Sequence, residues 1–381
     1  MQERGIRRPL VPMKAALASA WSRYALGAMT GLGAVLGLTA LGLAILVAWD
    51  SATPADNSPP TMIALAILGD SSSHSYQDSL SFPPGSADRG GVFHARTFQW
   101  TEALARLRGH ELNPGPWVRW GRADQIAWLR DLIGLHAGRT PRKEDYLYNF
   151  ANSGATCRNL MGGPLQRHSQ APRLVELMDH DPGRWRNGVV VIRIGNNDWS
   201  ALLDDQARDP RAPRVRAAAA YCAEQIAAAI RLIHAAHPKT RILLVGTDNE
   251  VNEPAIDKRY PAAAIANIQT AFDDFNAQLR ELASTDARIA FFDLGAWFEG
   301  LWGRRAPDGT AAFKTVTIGG KLRVTNTVGD EPTNAELADH HGGLVWNALW
   351  AQSLVMRLRE AFDLPLTPIS DEEVARFVTT Q

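Results

Sequence analysis

Apolar positions along the chain gather into five short runs: Met62–Leu68, Tyr146–Phe150, Val189–Ile194, Arg241–Val245 and Ile289–Phe292. Each leads within two residues to Gly, Asn or Asp, and most are rich in Val, Ile, Leu or Phe. Runs of this length and make-up read as interior strands of a sheet buried on both faces. Between them apolar positions recur at helical spacing, over Thr97–Leu107, Ala217–His234, Ile265–Leu282 and Val345–Phe362. Strand alternating with helix predicts an α/β fold, a doubly wound parallel sheet with helices on both faces. Two stretches break the rhythm. Residues 78–145 and 298–337 are long for connections and read as insertions, which in compact domains usually act as lids or binding loops.

Upstream the pattern is different. Residues 24–49 are almost wholly apolar and carry no charge, and a bilayer needs only about 20 such residues. Arg4, Arg7, Arg8, Lys14 and Arg23 precede this stretch, while Asp50 and Asp56 follow it. The positive-inside rule then predicts a cytoplasmic basic segment (1–23), one transmembrane helix (24–49) in the inner or plasma membrane, and an exported remainder, periplasmic or extracellular. A cleaved signal peptide is the competing reading, but its apolar region normally spans only about 7 to 15 residues. Residues 50–60, with Pro54, Pro59 and Pro60, read as an extended linker. The folded domain is expected over 61–381.

Composition narrows the chemistry mainly by exclusion. Lys and Arg total 40 and so do Asp and Glu, so no global field attracts nucleic acid or another polyanion. Two cysteines, Cys157 and Cys222, are too few for a disulfide scaffold or a Cys-rich metal site. No HExxH, P-loop or strand-borne GxGxxG occurs, so neither a metal nor a nucleotide cofactor is expected.

The chemistry-bearing residues sit where the strands stop. The first run ends in Gly69-Asp70-Ser71-Ser72-Ser73, the second in Asn152-Ser153-Gly154-Ala155-Thr156, the third in Gly195-Asn196-Asn197-Asp198. Asp339-His340-His341-Gly342-Gly343 precedes the last helix. Each alone is an ordinary turn or helix cap. In this order, the blocks resemble those of the GDSL, or SGNH, hydrolases. The resemblance implies a three-layer α/β/α, flavodoxin-like fold and a serine esterase acting on esters or thioesters without a cofactor. Ser71 would be the nucleophile and His341 the base. The oxyanion would be held by the N–H groups of Ser71 and Gly154 and the side chain of Asn197. One departure stands out. The family pattern is DxxH, yet Ala338 lies three residues before His341 and Asp339 only two. Either Asp339 orients His341 through a tighter turn, or a backbone carbonyl holds the imidazole of a Ser-His pair. Asp70, His74, Trp199 and His340 are further pocket candidates, Trp199 as a platform for a sugar. An exported, tethered location favours O-acetyl or short acyl esters on envelope or extracellular carbohydrate. A lysophospholipase is the enzymatic alternative, and a non-catalytic binding protein is the alternative outside enzymes.

Overall fold

The computed structural model describes residues 54–59, 61–135, 138–162, 169–247 and 250–380. The anchor expected at 24–49 lies outside them. Among the described residues no helix is long and apolar enough to cross a membrane.

Seven strands matter for the site: β1 (Ile63–Gly69), β2 (Leu112–Asn113), β3 (Trp117–Trp120), β4 (Lys143–Tyr146), β5 (Val189–Arg193), β6 (Arg241–Val245) and β7 (Ile289–Phe292). Five of them form one sheet in the order β2-β1-β5-β6-β7. All four pairings are parallel, with Leu65 opposite Val189, Val190 opposite Ile242 and Ile242 opposite Ile289. From β1 the chain goes first to β2 on one side and then to β5 on the other. That reversal makes the carboxyl end of β1 the switch point, where open α/β sheets leave a crevice for ligands.

Period-two alternation sends side chains to two separate cores. Leu65, Ile67, Val189, Val191, Leu243 and Val245 pack against α1 (Trp100–Arg108) and, near the carboxyl end, the long helix Leu344–Phe362. Ala64, Ala66, Leu68, Val190, Ile192 and Leu244 face α2 (Gln170–Met178), α3 (Pro213–Ala236) and α4 (Ala262–Ser284). With helices on both faces, strands that are continuously apolar are what the sheet requires. Burying each large aliphatic side chain contributes about 1.5–3 kcal/mol, so the sheet is a stiff platform for whatever its loops carry.

The second predicted strand needs correction. Only Lys143–Tyr146 is regular strand there, and it pairs antiparallel with β3. Residues 147–152 do run beside β1: the Ile67 amide donates to Tyr148 O, Phe150 N to Ile67 O and Asn152 N to Gly69 O. The Leu147 and Tyr148 amides, however, turn to the carbonyls of Pro116 and Pro114, so no continuous ladder forms. Nor is 78–145 all insertion, since it supplies α1 and β2 to the central fold. With two residues, β2 is too short to show alternation in sequence.

α1 shows how the fold fixes the loop after β1. Gln99 caps it in a reciprocal box, accepting from Thr101 N at 3.0 Å while Glu102 accepts from Gln99 N at 2.8 Å. The buried Glu102 carboxylate also accepts the amides of Tyr76 at 3.0 Å and Gln77 at 3.1 Å. One helix start thus anchors the segment five residues beyond Ser71.

Candidate active site

Ser71 stands just past β1, and Gly69 is what lets it stand there. A Cβ on Gly69 would lie 2.4 Å from the Arg193 carbonyl oxygen of β5, so only glycine allows the two strand ends to converge. The next residue, Asp70, is buried, and its Oδ1 accepts the Ser72 amide at 3.0 Å. Burial pushes its carboxyl pKa up, against the Ser72 amide and the Arg193 charge.

The two neighbouring blocks are tied to this turn and to each other. Asn197 opens the short helix Asn196–Ser200 after β5, and its Nδ2 donates to Ala155 O at 2.8 Å. A carboxamide has two N–H donors, so one positions the loop and the other is left for a ligand. Asp198 Oδ2 accepts the Cys157 amide at 2.9 Å. Cys157 and Cys222, buried in the same core, form a disulfide with Cα atoms 5.1 Å apart, and Gly195 lies against both sulfurs. Gly154 is exposed, its φ is +75°, and nothing lies within 4 Å of the place a Cβ would take. Gly154 does not line the cleft that holds Ser71.

The histidine comes from the other direction. His341 Nδ1 is 2.9 Å from the Asp339 carbonyl and 3.2 Å from Asp339 Oδ1. Two residues of spacing suffice because His340 between them adopts φ +64°, a left-handed conformation that doubles the chain back. Tyr76 Oη and Asn347 Nδ2 both donate to the Gly342 carbonyl, at 2.9 and 2.7 Å, fixing the turn from outside. Asp339 is clamped by Arg89, whose amide donates to Oδ2 at 2.9 Å and whose Nη1 bonds the same oxygen. Burial alone would raise the Asp339 pKa. The hydrogen bond and charge of His341, with the charge and amide of Arg89, hold it well below the usual carboxylate range.

Ser71, Asn197, His340 and His341 all line one cleft of about 390 Å³. Its walls are mostly polar, with Gln99, Arg193, Asn196, Ser200, Glu250, Asn252, Glu253, Arg259 and Glu336 beside Tyr76 and Trp346. The geometry therefore gathers a hydroxyl, an imidazole and a carboxamide at the sheet's switch point, the set an acyl-transfer site requires. The family model for the GDSL-like lipase/acylhydrolase matches residues 65–316, more than half of the chain.

The chain belongs to the GDSL-like lipase/acylhydrolase family. It is a serine ester hydrolase with an α/β fold and a parallel central sheet. The matched span includes Ser71, Gly154 and Asn197 and stops before Asp339 and His341. No curated protein matches the chain. Among solved structures it is similar to the lipase Lip_vut3 from a goat rumen metagenome, at 13% identity and a TM-score of 0.40 over 80% of this chain and all of that one. A likeness so slight carries no argument.

Three of the pocket candidates do not line the cleft of this GDSL-type hydrolase. Trp199 is 1% exposed and packs edge-on against Phe275 with Phe272 beyond, so it builds core and has no face for a sugar. Its place in the short helix after β5 turns it inward. Asp70 and His74 are buried and do not line the cleft. His340 does line the cleft, 66% exposed, with Nδ1 3.2 Å from Glu253. Arg89 is the residue that sequence reasoning missed. It lies 250 positions from its acid, in an Arg-Gly-Gly turn with no apolar or motif signal.

Proposed function

We propose that this hydrolase releases short acyl groups, acetyl above all, from ester-bearing carbohydrate. The observation that carries the reading is the cleft wall: amides, guanidinium groups and carboxylates that pair with hydroxyls, with Tyr76 and Trp346 as the aromatic surfaces. An acyl-chain tunnel would instead be lined by aliphatic side chains. In the proposed cycle Ser71 Oγ attacks the ester carbonyl while the His341 imidazole takes its proton. The N–H groups of Ser71 and Gly154 and the free N–H of Asn197 hold the oxyanion. The tetrahedral intermediate collapses as His341 returns the proton to the departing alcohol, leaving acyl-Ser71. Water, deprotonated by His341, then adds to the acyl carbonyl and Ser71 leaves with that proton, freeing the acid. Asp339 orients His341 throughout.

The reading also places residues 24–49 in the membrane and the catalytic domain outside it. The uncharged apolar stretch with cations before it supports this. So does the Cys157–Cys222 pair, which suits an oxidising compartment.

Two measurements test the proposal. A fluorophosphonate should label Ser71 in the wild-type protein and nothing in Ser71→Ala. Nitrophenyl esters should be turned over at acetate and fade by hexanoate, with acetate released from acetylated polysaccharide. Preference for long acyl chains or lysolipids would replace the carbohydrate reading with a lipid one. An unlabelled Ser71 would favour a binding protein.

A further inference from the structure

Three residues past Ser71 the chain turns inward at His74, which is 2% exposed and does not line the cleft. Its Nε2 lies 2.9 Å from Asp78 Oδ2 and its Nδ1 lies 3.0 Å from Ser153 Oγ. The Ser153 amide also points at Nδ1, at 3.2 Å. His74 thus bridges the nucleophile turn to the loop that carries Gly154, one residue on.

The donors and acceptors allow one assignment of protons. Asp78 is buried, and its Oδ1 accepts the amides of Leu80 at 3.0 Å and Glu144 at 2.9 Å. Burial alone would raise its pKa, but hydrogen bonds from His74, Ser81 and the Glu144 amide outweigh it and bring it to about 2. Asp78 is therefore a carboxylate that only accepts, so the proton it shares with His74 sits on Nε2. A backbone N–H can only donate, so Nδ1 must carry a lone pair toward Ser153. Burial and the nearby Lys143 charge act against a second proton on the ring, opposed by Asp78 and Asp145. Lys143 is itself engaged by Asp145 Oδ2 at 2.7 Å, and the Phe82 ring stands 5.3 Å from the imidazole. The ring is a neutral, rigid spacer with an anion at one end and a peptide N–H at the other.

The Ser153 peptide matters because Gly154 is its neighbour in the chain. No atom lies within 4 Å of the place a Gly154 Cβ would take, and glycine at φ +75° has no side chain of its own to hold it. Its direction is set from behind, by His74 on Ser153 and by Asn197 on Ala155. We propose that His74 is a positioning residue for the oxyanion hole, its Nδ1 pinning the Ser153 amide so that the next amide, that of Gly154, aims at the developing charge. This role rests on the reading of Gly154 as an oxyanion donor. It predicts a cost felt in the transition state and hardly in substrate binding.

The test uses His74→Leu and His74→Gln in the full chain with 4-nitrophenyl acetate. Gln offers an acceptor and a donor in the same order as the imidazole, whereas Leu offers neither. His74→Leu should lose about 10²-fold in kcat with KM within about threefold, the pattern of a lost oxyanion donor. His74→Gln should recover to within about tenfold of wild type. A trifluoromethyl ketone, which mimics the tetrahedral adduct, should lose affinity for His74→Leu in step with kcat. A folded His74→Leu with kcat within about threefold of wild type overturns the role. Should His74→Leu fail to fold, the imidazole 15N spectrum of wild-type protein decides. A neutral Nε2–H signal at pH 7 that vanishes in His74→Gln supports the role, and an Nδ1–H or doubly protonated His74 refutes it. Fluorophosphonate on Ser153 of the wild type would also refute it, since His74 would then be activating that hydroxyl. Absence of label from wild-type Ser71 defeats the esterase reading and this role together, whereas a labelled wild type with an unimpaired His74→Leu defeats this role alone.

Discussion

The two halves of the cleft are built differently. The half that carries Ser71 and Asn197 rests on the ends of β1 and β5, and the loop through Gly154 is tied to it by His74, Asn197, Asp198 and the Cys157–Cys222 bridge. The half that carries His341 is made of loops, held by Arg89 from one long connection and by the left-handed turn at His340 in another. The family match ends between them, at residue 316. A buried parallel sheet constrains what can stand at its strand ends, because a glycine such as Gly69 has no substitute there. A loop needs only to bring an imidazole to the same place, and several turn geometries can do that. The half at the strand ends is therefore a property of the fold, and the half that carries His341 a local solution.

The sharpest break in that comparison is His341→Ala. If the loop half supplies the only base, kcat should fall by at least about 10³-fold, as loss of a triad member does. Thermal stability should hardly move, because His341 packs into no core. Near-normal turnover would mean that His340, or another group, is the base.

The bridge comes next, and it reports on the other half. Cys157 and Cys222 are separated by 65 positions, and closing a loop of that size is worth about 4 kcal/mol by the chain-entropy account. Cys157→Ser with Cys222→Ser should lower the urea midpoint accordingly and slow fluorophosphonate labelling of Ser71, since Gly195 and the Asn152–Cys157 loop both lean on the sulfurs. An unchanged midpoint would show that the half is held by its hydrogen bonds alone. Asn197→Ala is smaller. Loss of one oxyanion donor should cost about 10²–10³-fold in kcat with KM little altered, and stability should drop only by the bond to Ala155 O. A change confined to KM would remove Asn197 from the oxyanion hole.

The same contrast explains what was legible in the sequence. Four of five apolar runs became sheet strands, because a strand buried on both faces must be apolar throughout. Ser71 and Asn197 were expected just past two of these strands and stand there, whereas Gly154 follows the run that forms no regular strand. The 147–152 run was read as a strand from its apolar side chains, but the ladder fails where two amides turn to Pro114 and Pro116. Trp199 misled because adjacency to a functional block says nothing of which way a helical side chain points. It points to Phe272 and Phe275. Arg89 was invisible for a deeper reason. Its partner is 250 residues away, and no pattern in one chain records so distant a pairing.

Arg89 also offers the finest test of the loop half. Its guanidinium bonds Asp339 Oδ2, lies 2.9 Å from His341 Nδ1 and is stacked 4.5 Å from the centre of the Phe82 ring. It holds Asp339 where the shortened spacing would otherwise let it swing. Arg89→Met keeps the stem packed on Phe82 and removes the clamp. It should lower kcat about tenfold, well short of His341→Ala, because the Asp339 carbonyl still lies 2.9 Å from Nδ1. Arg89→Lys, which keeps a charge but not the fork, should recover only part of that loss. Full activity in Arg89→Met would show that the two-residue turn at His340 orients Asp339 unaided.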